Sequence, residues 1–303
     1  TIRYYGFVQK IMGSTIFSTK ILRLENMSAL TRMNGSAFLH YGIRDGSTCL
    51  KELDQRIPLR VMFPKGPKGS PPIAAITLVS GGLVGGDRLN IKIHADERTT
   101  LTAIGQAAEK VYRSNGPDSR VEISLNVEKD AWLEWLPQET ILFDGARLDR
   151  CTVANVHSMG RLLAGECLVF GRIASGEVMM NGKIRDSWEV HDATGHLKWA
   201  DTLLMNDNII DILDSPACFG GARAYATALY VGPDAGKFLP AAKNLTDSNE
   251  DIRSGVTCRG NVLIARWISD NPLTVREKFE RYWVAMRSLA GGLTQNLSRL
   301  WYV

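Results

Sequence analysis

Five carboxylates stand beside apolar stretches of this chain: Asp87, Glu139, Asp144, Glu166 and Glu177. A charged group that close to a dry core must be paired, bound to something, or aimed at a cavity. Three chemistries are open. As ion pairs with Arg88, Arg147 or Arg172, the acids would fix the core. As a pair, Glu139 and Asp144 could do glycosidase-type acid and base work; Trp132 and Trp135 are then the only evident aromatic platform for a sugar. As oxygen groups along a water-filled passage, the five could hand a divalent cation from site to site. Weak, separated carboxylates suit transit, because the ion must also leave, whereas thiolate-rich sites hold nickel or zinc too tightly.

Other chemistries leave no trace in the sequence. There is no Gly-x-Ser-x-Gly elbow. There is no His-Glu-x-x-His helix, and no Gly-Lys-Ser/Thr ending that would make a phosphate loop. The run Ser80-Gly-Gly-Leu-Val-Gly-Gly-Asp-Arg-Leu89 carries its glycines in pairs, unlike a dinucleotide fingerprint. It predicts a hairpin corner where backbone approaches backbone, with room cleared beside Asp87. His191 and His196 bracket Asp192 and predict a solvated turn, with metal ligation across a hairpin as the alternative.

The acids need elements to hold them, and those elements centre on residues 131–147. Trp132, Leu133, Trp135 and Leu136 predict one strand; Ile141, Leu142 and Phe143 predict a second. Pro137 cannot donate to a ladder, so the chain bends between them. Glu166 lies among small and apolar residues, on a strand that reads as buried on both faces. Residues 90–95 and 99–104 alternate apolar and polar, as strands with one wet face do. Further strands are expected at 37–41, 58–63, 73–79, 121–127, 151–157, 162–173 and 262–268; residues 222–231 are small and apolar, and residues 183–190 and 196–204 read as a hairpin pair. Pro240 interrupts a helix expected over 234–245. A longer helix opens at Asn271-Pro272, with Thr274 and Glu277 as a capping box. Phe279, Tyr282, Trp283, Met286 and Leu289 share one face, and Gly291-Gly292 ends it. That face is core or a docking surface. The chain therefore reads as one mainly β domain with one or two helices near its C-terminus.

With 303 residues, 45% of them hydrophobic, the chain can bury a sizeable core. A net charge of +4 without a basic run argues against nucleic acid. No run of about 18 apolar residues predicts a membrane span. Five widely spaced cysteines, with no Cys-x-x-Cys, argue for a reducing compartment, the cytoplasm. Residues 1–34 differ from the rest: they are basic, rich in Ser and Thr, and hold Met27 and Met33. They read as an upstream extension ahead of a later start, with a transit peptide as the alternative.

Four blocks then carry a resemblance. They are Gly81-Gly-Leu-Val-Gly-Gly-Asp87; Glu109-Lys-Val-Tyr-Arg-Ser114; Leu133-Glu-Trp-Leu-Pro-Gln-Glu-Thr-Ile141 with Phe143-Asp-Gly-Ala146; and Gly171-Arg-x-x-x-Gly-Glu177. In order and spacing they resemble the urease accessory protein UreD (UreH) family over residues 35–303. Arg299-Leu-Trp301 looks like that family's closing Arg-Ile-Trp. The chain departs from the family pattern in its loop at 64–72 and at Glu109, where a small residue is common. The resemblance implies a β-helix-like build of stacked strands with two helices. It implies a scaffold and chaperone, not an enzyme, with no permanent cofactor and only transient nickel(II). The implied partners are apo-urease, the F-type accessory protein and, through it, the G-type GTPase that carries nickel. A dimer of heterodimers with the F-type partner is expected. An internal tunnel would pass nickel, with Asp87, Glu139, Asp144, Glu166 and Glu177 as candidate lining. A passive adaptor without metal passage is the alternative.

Overall fold

The structure is a computed structural model that describes residues 32–66, 68–246, 248 and 250–302. Nearly all of the 1–34 segment, and with it the choice between extension and transit peptide, lies outside the described residues. The chain enters through the antiparallel pair β1 (Asn34–Arg44) and β2 (Ser47–Arg56), followed by β3 (Leu59–Met62), which pairs antiparallel with the next strand in the other sheet. It then winds. Strands β4 (Ile73–Leu78), β5 (Arg88–Ala95), β6 (Thr100–Gly105), β7 (Glu109–Val111), β8 (Ser119–Val127), β9 (Trp132–Leu136), β10 (Thr140–Leu142), β11 (Arg147–Val156), β12 (Arg161–Phe170) and β13 (Asn181–Asp192) shuttle between two sheets. Each circuit adds one strand to each sheet, so β1, β5, β8, β11 and β13 are parallel in the first. In the second, β4, β6, β9 and β12 are parallel. The result is a β-solenoid of about 4 turns.

Antiparallel strands close the far end. Strand β14 (Leu197–Asn208) pairs with β13 and runs into the short helix α1 (Ile209–Asp214). Strand β15 (Ala224–Val231) pairs with β12. After helix α2 (Leu239–Leu245), β16 (Arg253–Arg259) and β17 (Val262–Ser269) complete the second sheet. Helix α3 (Pro272–Gly291) packs on its outer face.

Burial explains the sequence patterns. The first sheet has one wet face, so β5 and β8 alternate buried and exposed positions. The second sheet is covered on both faces, by the solenoid interior and by α3. Strands β9, β12 and β15 are accordingly buried almost throughout, as parallel strands between layers are. Gly165 on β12 allows the close approach: a Cβ there would stand 2.6 Å from the Thr227 carbonyl and 2.9 Å from the Phe279 ring.

Several local expectations need correction. Helix α3 is capped by Asn271, whose side chain accepts from the Leu273 N–H, and not by a Thr274–Glu277 box. Phe279, Tyr282, Trp283 and Met286 are buried against β15 and β17, which makes that face core; Leu289 points outward and is 52% exposed. Pro240 does not interrupt a helix: it sits in the first turn of α2, where a missing N–H costs nothing. The paired glycines form a solenoid corner between β4 and β5, not a hairpin. There Leu83 is fully buried and bonds both ways with β7, its N–H to the Lys110 carbonyl (2.7 Å) and its carbonyl to the Tyr112 N–H (2.9 Å). A Cβ on Gly82 would lie 2.7 Å from the Lys110 carbonyl, which accounts for a glycine at φ 146°.

Candidate functional site

The second sheet breaks its ladder at one place. Strand β12 pairs with β9 over its first residues and with β10 over its last, and between them lie Gly165, Glu166 and Cys167. Pro137, Gln138 and Glu139 carry the chain from β9 to β10 around this break. Side chains at alternate positions point inward: Leu162, Ala164, Glu166 and Leu168 from β12 meet Leu148 and Arg150 from β11. Glu166 therefore enters the solenoid interior where an apolar side chain would be expected.

It is met there by a charged cluster. Arg150 lies opposite Asp186 in the β11–β13 register. Its Nε and Nη2 donate to the two Asp186 oxygens at 2.9 and 2.5 Å, Nη2 also to Glu166 Oε2 at 2.5 Å, and Nη1 to Thr140 Oγ1 at 3.1 Å. Trp188 Nε1 donates to Glu166 Oε1 at 2.7 Å. One guanidinium thus serves two carboxylates, and all three groups are buried. Burial pushes the Glu166 carboxyl above the usual carboxylate range; Arg150 pulls down and Asp186 adds to the rise. Burial opposes the charge on Arg150, yet Asp186 and then Glu166 hold its proton more firmly than usual. Beside them, Glu109 on β7 is pushed by burial up to about 7, against the Lys110 N–H and the Arg150 charge. Glu109, Arg150 and Glu166 line a cavity of about 80 Å³ whose other walls include Leu83, Ile91, Ile123 and Trp135. That space is polar on one side and large enough for several waters.

The other four acids lie elsewhere and each is held. Asp87 is fully buried in the glycine corner and accepts backbone N–H bonds from Val84 and Met33, both at 2.9 Å. Glu139 takes Arg276 of α3 on both oxygens, at 2.7 and 2.6 Å. Arg276 also donates to the Trp301 carbonyl and lies 4.9 Å over that ring, so the pair ties the β9–β10 bend to α3 and the C-terminus. Asp144 accepts from the Met180 and Asn181 N–H groups and from Arg113. Glu177 pairs with Arg172 and accepts the Asp144 N–H at 3.3 Å. Of the arginines expected as partners, Arg172 fills that role, whereas Arg147 pairs with Asp118. Glu139 and Asp144 are each engaged by a different arginine, and Trp132 and Trp135 are both buried. The pieces of a sugar-cleaving site are not assembled there.

Some charged residues were invisible to sequence reasoning. Arg150 and Asp186 sit 36 residues apart on strands that alternate cleanly, and only the parallel register joins them. Glu134 on β9 is fully buried on the other face, held by Arg287 of α3 (2.9 Å), Thr102 (2.9 Å) and Trp132 (3.3 Å). The signal for Glu134 was present: a carboxylate between Leu133 and Trp135. At the His191–His196 hairpin, Asp192 accepts from the His196 N–H, the Thr194 N–H and Lys198, and holds the turn closed. All five cysteines are unpaired. Among the described residues no helix is long and apolar enough to cross a membrane.

The sequence matches known proteins. The family model for the UreD urease accessory protein matches residues 33–302. A urease accessory protein UreD from Magnetococcus marinus is 40% identical over 275 residues, covering 89% of this chain and 94% of that protein. One from Rhodopseudomonas palustris is 37% identical, covering 85% and 86%. Another, from Granulibacter bethesdensis, is 36% identical, covering 80% and 99%. The chain belongs to the UreD urease accessory protein family.

Proposed function

We propose that this protein is a urease maturation factor. It acts as a non-catalytic cytoplasmic scaffold that binds apo-urease and the F-type accessory protein, reaches the G-type GTPase through the latter, and assists transfer of nickel(II) to urease. Family membership supports the maturation role. The observation that carries the metal step is the water-sized interior space beside Glu166 and Glu109.

The chemistry of that space is an exchange. Burial raises both carboxyls, Glu109 to about 7 and Glu166 in the same direction, so the cavity side holds protons more readily than free carboxylates do. A divalent cation entering between the two carboxyls would displace those protons, so the interior gains little net charge. Two oxygen donors hold such an ion weakly enough to release it. Arg150 stays on Asp186 and keeps the cluster assembled. In this reading Glu166, with Glu109, lines the passage, while Asp87, Glu139, Asp144 and Glu177 stiffen the corners and the α3 attachment.

The scaffold role is tested by co-purification. This protein, co-expressed with apo-urease and the F-type accessory protein from the same source, is expected to elute with both in one complex. Its elution alone, with both partners present and folded, would overturn the scaffold assignment.

A further inference from the structure

We propose that His40, His94 and Asp96 form a site for one divalent transition-metal ion of the nickel–zinc class, on the outer face of the first sheet and separate from the interior cavity. His40 on β1 and His94 on β5 are direct partners in a parallel register. Their rings stand 4.9 Å apart, nearly perpendicular. Both Nε2 atoms converge on one oxygen, Asp96 Oδ1, at 2.9 and 3.1 Å. Three potential ligand atoms thus already lie within 4.8 Å of one another. Ligands about 2.1 Å from a metal stand roughly 3.0–3.4 Å apart when adjacent, and both imidazole-to-carboxylate distances are already close to that spacing.

The site is built and open. Asp96 is fixed by its N–H on the Tyr41 carbonyl (3.0 Å) and by Thr99, whose N–H and hydroxyl both bond the Asp96 carbonyl. Lys51 occupies Asp96 Oδ2 at 2.5 Å and leaves Oδ1 to the imidazoles. Glu128 Oε1 lies 4.0 Å from His94 Nε2, within reach as a further ligand or through water. The side chains of His40, His94 and Asp96 are 27%, 31% and 27% exposed, so water can complete the shell. Two imidazoles and a carboxylate select nickel, zinc, cobalt or copper over calcium or magnesium. This inference does not rest on the urease reading, because it is tested with metal alone.

Untagged, metal-stripped full-length protein is titrated with nickel sulfate and, separately, zinc sulfate in a calorimeter. Wild type is expected to take up one equivalent that His94→Gln weakens at least tenfold and that His40→Gln/His94→Gln loses. Lys51→Met removes a cation from beside Asp96 without touching either ring, and should tighten binding several-fold. Imidazole nitrogen NMR of wild type needs no variant: zinc should shift His40 and His94 and leave His157, His191 and His196 in place. Unchanged uptake by a folded His94→Gln, or zinc shifts confined to the other three histidines, would overturn the proposal.

Discussion

A buried carboxyl without a full countercharge makes stability depend on pH in a definite direction. Glu109 titrates near 4.5 when unfolded and near 7 when folded, so across that window the folded chain holds a proton that the unfolded chain has released. Stability therefore falls as pH rises through it, and Glu166, also raised by burial, acts in the same direction. Asp118 behaves oppositely: although burial pushes the other way, Lys183 and Arg147 hold it below its usual range, so its contribution is lost only on acidification below about pH 4. Glu109→Gln should flatten the neutral slope and raise stability at pH 8 by about 1–3 kcal/mol, read from urea denaturation at pH 6 and pH 8. An unchanged slope would show that Glu109 is ionised in the fold. Arg150→Met leaves Asp186 and Glu166 without their cation and should cost about 3–5 kcal/mol. Replacing Arg150, Glu166 and Asp186 together by Met, Leu and Leu should recover most of that loss in the same assay. The sequence flagged Glu166 as an acid that needed a reason. It could not name Arg150, because one inward arginine on an alternating strand looks like any other polar position.

Elements were easier to read than partners. Alternation marked β5, and continuous apolar runs marked β9 and β12, because one sheet is wet on one face and the other is covered on both. Pro137 marked the bend that separates β9 from β10. Strands β2 and β16 escaped notice, since their side chains are half-exposed or exposed and no face is uniformly apolar. Helix α1, six residues after a long hairpin strand, has too few turns for a helical period to show. Helix α3 approaches β12 closely at Gly165. Gly165→Val places a side chain against the Thr227 carbonyl and the Phe279 ring, and should cost about 3 kcal/mol. The buried tryptophans Trp267 and Trp283 give a readout, because their fluorescence should shift to the red if α3 lifts. A variant with wild-type stability and emission would mean that the helix does not depend on this contact.

At the scale of the molecule, parallel coiling does what no local pattern announces. It sets residues about 30 to 55 positions apart side by side, placing His40 beside His94 and Arg150 beside Asp186. Such neighbours cannot be found from spacing within one element; they follow from the winding itself. The resemblance to the UreD family supplied the stacked-strand build, and the residues alone supplied only mainly β. Coiling also leaves a space between the sheets, and it is there that carboxyls and a guanidinium meet beside a cavity. The direct measurement is nickel loading of apo-urease by the assembled accessory complex carrying Glu109→Gln/Glu166→Gln, compared with wild type. Both substitutions preserve side-chain shape but cannot release a proton to make way for a cation; at Glu166 one of the two acceptors, for Arg150 or for Trp188, is lost as well. The expected result is an intact complex whose urease receives at least tenfold less nickel per unit time. Wild-type loading by that complex would contradict the passage and leave the adaptor role alone.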